Sequence, residues 1–224
     1  MRLTHLGHAC LLVETAEARI LIDPGSFSSG FEGLRDLDAV VVTHQHPDHL
    51  DQDRLPDLLA HNRQAAVYAD PQSAEIISGR STDVIVLVEG EQHRVGAATL
   101  SPVGHQHAVI HPWVPCPANV GVVLRASGEP SLFHPGDSYD GQPSDVDVLA
   151  VPLSAPWAKV SETIDFVRRV APGSIVPIHD ALLAPAGRGM YLNHVRTYGV
   201  AEPGTSDPLT VHDPEAGVVE EILL

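Results

Sequence analysis

Short apolar runs rich in β-branched residues recur along the chain at 10–13, 19–22, 40–42, 84–88, 120–124, 148–151 and 175–178. Runs of this length, bounded by turn residues, predict buried β-strands. Segments 51–62, 71–79 and 161–170 carry helical patterns, the last opening on Ser161 as a capping residue. Strands alternating with helices predict an α/β fold, although periodicity alone does not choose among α/β architectures.

Polar chemistry gathers where the apolar runs end. The run 39–42 leads into Thr43-His44-Gln45-His46-Pro47-Asp48-His49, which places four metal-ligating side chains within six positions. An extended segment points His44 and His46 to the same side, and Pro47 interrupts regular pairing before Asp48 and His49. Imidazoles and a carboxylate at the mouth of a buried strand are costly to desolvate unless a cation compensates them, and a divalent metal does so. A chance cluster of surface histidines, in a chain holding 14 of them, does not explain a placement directly after a buried strand. Three further runs end on donors: 98–103 before His105 and His107, 131–133 before His134 and Asp137, and 174–178 before His179. Polar groups gathered at strand ends predict a site on one edge of a sheet layer.

Composition narrows the setting. A chain of 224 residues with 43% hydrophobic content is expected to fold as one domain over 1–224, and its 19 prolines and 18 glycines form no linker. Cys10 and Cys116 make no disulfide framework, residues 1–5 open no long apolar core with a cleavage site, so N-terminal secretion is not expected, and no apolar stretch approaches a membrane span. A cytoplasmic protein without membrane contact is expected. A net charge of −16, with no basic cluster beyond Arg168 and Arg169, argues against nucleic acid and for a small-molecule substrate. Arg63, Arg125, Lys159 and Arg188 are the cations offered for binding an anion, with ordinary solvated charges as the default.

The order HxHxDH, then His, then Asp, then His resembles the metallo-beta-lactamase fold superfamily over nearly the whole chain. The resemblance implies a four-layer αββα sandwich and a binuclear metal centre. His44, His46 and His107 would hold one ion, and Asp48, His49 and His179 the other. Asp137 would bridge them, and Asp23 in Leu21-Ile22-Asp23-Pro24 would brace the ligand loop. The opening Thr4-His5-Leu6-Gly7-His8-Ala9-Cys10 and the stretch His107-Ala108-Val109-Ile110-His111-Pro112 are similar to the ascorbate phosphate lactonase-like branch, whose members often assemble, so a homo-oligomer is compatible. His105 competes with His107, and the small residue that follows favours His107, as in that branch.

Nitrogen and oxygen ligands suit zinc first, with manganese or iron as alternatives. The pattern departs from the HxExD of flavin-linked di-iron relatives, which argues against redox chemistry. The expected activity is hydrolysis of a small ester, lactone or phosphoester, with Asp48 both ligand and orienter of the nucleophile or proton acceptor. A phosphodiesterase or nuclease on the same core and a non-catalytic metal-binding module are the alternatives. His8 reaches the pocket or stays structural, with equal weight. His111 contacts substrate or covers the metals, also with equal weight, and His134 is expected to stand outside the site.

Overall fold

A computed structural model describes residues 1–15, 18–79, 83–200, 202, 204, 207–214 and 218–222. Two seven-stranded sheets carry the architecture. The first holds β1 (Arg2–His5), β2 (Leu11–Glu14), β3 (Arg19–Ile22), β4 (Ala39–Val42), β5 (Ala66–Ala69), β6 (Val84–Val86) and the late β14 (Val219–Glu221). Its order is β14-β1-β2-β3-β4-β5-β6, antiparallel from β14 to β3 and parallel from β3 to β6. The second is built from β7 (His93–Val95), β8 (Ala98–Val103), β9 (Gly121–Arg125), β10 (Leu132–His134), β11 (Val148–Pro152), β12 (Ser174–Ile178) and β13 (Thr210–Val211). It runs β13-β12-β11-β10-β9-β8-β7, parallel from β10 to β13 and antiparallel elsewhere.

The side-chain alternation of the strands explains why the sheets need three apolar layers. Val41, Ile20, Ile22 and Leu11 of the first sheet meet Leu100, Val122, Leu124, Val148 and Val176 of the second. Their outward neighbours Leu12, Leu21, Val40 and Val42 are covered by α1 (Leu55–His61) and α2 (Pro71–Ser78). Leu149, Val151 and Ile175 face α3 (Val160–Val170) and α4 (Pro185–Tyr198) through Phe166, Val167 and Val195. The result is the four-layer αββα sandwich. Strands buried on both faces read as continuous apolar runs, which is why β4, β11 and β12 were visible in the sequence.

The differences from the sequence expectation have local causes. The helix expected from residue 51 begins at Leu55, because Asp51 Oδ1 accepts from the N–H groups of Asp53 (3.0 Å) and Arg54 (2.9 Å) and holds a turn there. The unforeseen α4 contains Gly187 and Gly189, poor helix formers that hide its pattern. Both cysteines are free, Cys10 buried and Cys116 exposed. Among the described residues no helix is long and apolar enough to cross a membrane.

Candidate metal centre

The C-terminal ends of β1, β3, β4, β8, β10 and β12 are followed in turn by His8, Asp23, His44 to His49, His107, Asp137 and His179. Their donors converge into two groups: His44, His46, His107 and Asp137, and His8, Asp48, His49 and His179, with the ligand atoms of each group within 4.8 Å of one another. Asp137 stands between the groups. Its Oδ1 lies 3.1 Å from His49 Nε2, and its Oδ2 lies 3.1 Å from His179 Nε2 and 3.4 Å from His107 Nε2.

The hydrogen bonds behind the rings set the tautomers. His49 Nδ1 donates to Asp23 Oδ2 (2.7 Å), His107 Nδ1 to the Ala108 carbonyl (2.6 Å) and His179 Nδ1 to the Ser154 carbonyl (2.7 Å). The Thr43 hydroxyl spends its proton on Asp23 (2.7 Å), so it accepts from His44 Nδ1 (3.1 Å). In its neutral form each of these four imidazoles leaves the Nε2 lone pair facing inward, that of His44 toward His46 Nδ1 at 3.1 Å, the arrangement metal-ligating histidines adopt. The buried Nε2 atoms of His49, His107 and His179 and the Oδ1 of Asp137 have no hydrogen-bond partner. Buried polar atoms left unpaired cost free energy, and nitrogen and oxygen lone pairs converging on common points fit divalent cations.

His8 is wired the other way. Its Nδ1 accepts from the Ala181 N–H (3.4 Å), so the neutral ring carries its proton on Nε2 and donates it to Asp48 Oδ2 (3.1 Å). His8 thus shares the second group's space as a donor to Asp48. Sequence reasoning left His8 undecided, and the strand-end Gly7-His8 was the available signal. Two other groups had no signal at all: the Trp157 indole donates to Asp137 Oδ2 (3.0 Å), and Asn119 Oδ1 accepts from the Asp137 N–H (2.9 Å).

Buried Asp23 carries the ligand loop. It takes the Thr43 N–H (2.7 Å), the Thr43 hydroxyl and His49 Nδ1, tying the end of β3 to the end of β4. His8, Asp23 and His179 have φ of 53°, 49° and 57°, a left-handed conformation that is costly for such residues and clusters at functional sites. His105 is exposed and outside both groups. His111 is also exposed and packs on Trp113, with ring centroids 5.7 Å apart. His134 is buried but stays behind the site, its Nε2 bonding the Ala9 carbonyl (2.9 Å) and its Nδ1 accepting from the Gly136 N–H (3.2 Å).

The side chains by themselves balance charge with protons. Burial opposes a charge on His49, but Asp137 and Asp23 outweigh it and hold its pKa well above the ordinary imidazole range. Against the same burial, the nearby carboxylates of Asp137 and Asp48 carry His179 up to about 9. Burial, reinforced by His49, lowers His44 well below its ordinary value. Burial pushes the Asp48 carboxyl up, yet His179 and His8 outweigh it and hold it well below the usual carboxylate range. Cations bound here would replace those protons.

Two sheets inside two helical layers, with paired His/Asp groups on the strand ends, define a metal-site protein of the αββα class. The family described as Beta-lactamase superfamily domain matches residues 2–179, and the chain belongs to that superfamily. It is 47% identical over 192 residues to Protein Rv0786c of Mycobacterium tuberculosis, across 85% of this chain and 89% of the relative. A UPF0173 metal-dependent hydrolase of Methanopyrus kandleri is 29% identical over 205 residues, across 83% and 86% of the two chains. The metallo-beta-lactamase fold protein YhfI of Bacillus subtilis superposes with a TM-score of 0.69 at 16% identity, covering 98% of each chain, a likeness of fold.

Proposed function

We propose that this metal-dependent hydrolase of the metallo-beta-lactamase superfamily uses two divalent ions, zinc first, to hydrolyse a small ester, lactone or phosphoester. The observation that carries the reading is the set of buried, unpartnered Nε2 and Oδ atoms shared by the two adjacent groups. His44, His46 and His107 would hold one ion and Asp48, His49 and His179 the other, with Asp137 shared between the two groups. When bound, such a pair polarises a carbonyl or phosphoryl group and acidifies water.

The chain's own residues supply position. Asp23 and Thr43 fix the rings of His49 and His44, and Trp157 and Asn119 fix Asp137 from its side chain and its backbone. Asp48, with a side chain 22% exposed, marks the open side of the site. Asp48, whose Oδ2 accepts from His8 Nε2 at 3.1 Å, would orient water by accepting a hydrogen bond. In ester hydrolysis the water oxygen joins the acyl carbon, the C–O bond breaks, and the water proton leaves on the alkoxide. Residues 1–224 act as one domain in this reading, in the cytoplasm, on a small molecule. Protein loaded with zinc and screened on lactones, aryl esters and bis-phosphodiesters tests it. Turnover of at least one class is expected, and full metal occupancy without turnover overturns it.

A further inference from the structure

We propose that the centre takes an uncharged ester or lactone bearing an alkyl or aryl group, and that Phe27, Leu182, Val109 and Trp157 form the subsite for that group. This rests on the hydrolase reading above and names its substrate class.

Exposed apolar side chains scattered singly are ordinary, whereas several around one concave site mark a ligand surface. Here Phe27 and Trp157 touch donor-group side chains, and Leu182 and Val109 stand in the loops next to them. Phe27, 46% exposed, sets its ring edge-on to His8 with centroids 5.2 Å apart. Leu182 is 69% exposed and follows Ala181, whose N–H bonds His8. On the other side, Val109 is 60% exposed and follows Ala108, whose N–H bonds the Asp137 carbonyl at 2.8 Å. Trp157 is half-buried between Tyr139 (4.8 Å between centroids) and His107 (6.1 Å), its indole N–H fixed on Asp137. These four side chains are the apolar surface next to the donor groups.

The cations give a phosphate no comparable welcome. Arg54, beside the ligand loop, is committed to Asp51, Glu32 and the carbonyls of Gly25 and Ser28. Arg188 is tied to Asp180 and Asp213, and Arg125 to the carbonyls of Ser144 and Asp145. Lys159 pairs with Glu162 on the surface. Arg63 lines a separate cavity of about 450 Å³ with Leu55, Leu59 and Ile77, which none of the site donors lines. Bidentate capture of a phosphate needs a guanidinium presented to the site, whereas Arg54, Arg125 and Arg188 are engaged elsewhere and Arg63 lines that other cavity.

The test measures zinc-loaded protein against alkyl hydroxamates from acetohydroxamate to octanohydroxamate by calorimetry, alongside hydrolysis of the matching esters and of phenyl phosphate. Hydroxamates chelate the metals whether or not the protein turns over an ester. Affinity should rise by about twofold per methylene, half burial of each against the roughly fourfold of full burial, and so roughly 60-fold across the series. Phe27→Ser and Leu182→Ser should flatten that slope while metal content, read by mass spectrometry, stays unchanged. Ile85→Ser, on the edge strand β6, should leave the slope as it is. A flat series, or phenyl phosphate hydrolysed in preference to the esters, overturns the inference. A steep series without any turnover overturns the hydrolase reading and leaves the apolar subsite standing.

Discussion

Replacing Gly25 by alanine probes whether the ligand loop is set by backbone contact. A Cβ at this position would lie 1.7 Å from the Asp48 carbonyl oxygen, 2.0 Å from its carbon and 2.5 Å from the His49 nitrogen. Ordinary contact near 3.5 Å requires the two backbones to part by about 1.8 Å. The atoms that must give are main chain, between the two candidate ligands Asp48 and His49, so no side-chain rotation relieves the overlap. Metal coordination tolerates roughly 0.2 Å of error. The relaxed loop therefore cannot keep both Asp48 and His49 in place. The expected cost is about 1–3 kcal/mol of stability from overpacking, with metal affinity falling roughly 10- to 100-fold. Chelator competition with zinc gives the affinity, and a thermal melt gives the stability. Gly33→Ala is the control, since its Cβ would meet nothing within 4 Å. An alanine variant holding zinc within about threefold of the parent would refute the claim that this approach positions the ligand loop.

Asp23→Ala should cost about 3–6 kcal/mol in chemical denaturation, because it strands the Thr43 N–H, the Thr43 hydroxyl and His49 Nδ1 in a buried place; a loss under about 1 kcal/mol would contradict the bracing role. Asp137→Ala should remove at least one metal equivalent in elemental analysis, and retention of two would take this residue out of the bridge. His8→Ala and His8→Gln should both keep two equivalents, with turnover down roughly tenfold in the first and partly restored in the second, where an amide N–H replaces the ring donor. Loss of an equivalent in both variants would make His8 a ligand. For chelator-treated protein, His179 binds its proton more tightly folded, at about 9 against an ordinary 6.5. Its stabilisation is therefore complete below about pH 6.5 and fades as pH rises through about 9. A melting temperature that does not fall across that window would contradict it.

What was legible in the sequence was contiguous. His44, His46, Asp48 and His49 sit in one segment after a buried strand, and His107, Asp137 and His179 each follow an apolar run, so position nominated them beside His105 and His134, and the family resemblance chose among these. Of the two competing histidines past β8, His105 is exposed, whereas His107 is buried and joins a donor group. Groups that act through tertiary contact gave no such signal. His8 meets Asp48 across 40 residues, and Trp157 meets Asp137 across 20. Spacing statistics do not encode which carbonyl will face a ring. The same holds for α4, whose glycines conceal a helix held by packing on α3, and for the cations, whose partners Asp180, Asp213 and Glu32 are apparent only once the loops are placed.

The tautomers explain why the site is built from so many separate strand ends. Each inward Nε2 needs an acceptor behind its ring, and Asp23, Thr43, the Ala108 carbonyl and the Ser154 carbonyl come from four different connections. Two of these are main-chain atoms, so the protonation pattern of His107 and His179 is fixed by backbone course and survives any side-chain change around it. The left-handed φ values of His8, Asp23 and His179 fit the same logic: each turns the chain sharply at a strand end, bringing its side chain back over the sheet edge. Such conformations cost on the order of 1–3 kcal/mol each and persist only where the surroundings over-determine them. The paired parallel strands below and the bonds between His179 N–H and the His8 carbonyl (2.9 Å) do so here. Donor geometry is therefore a property of the folded backbone, and a cation entering the site would compete with protons for lone pairs that already point the right way.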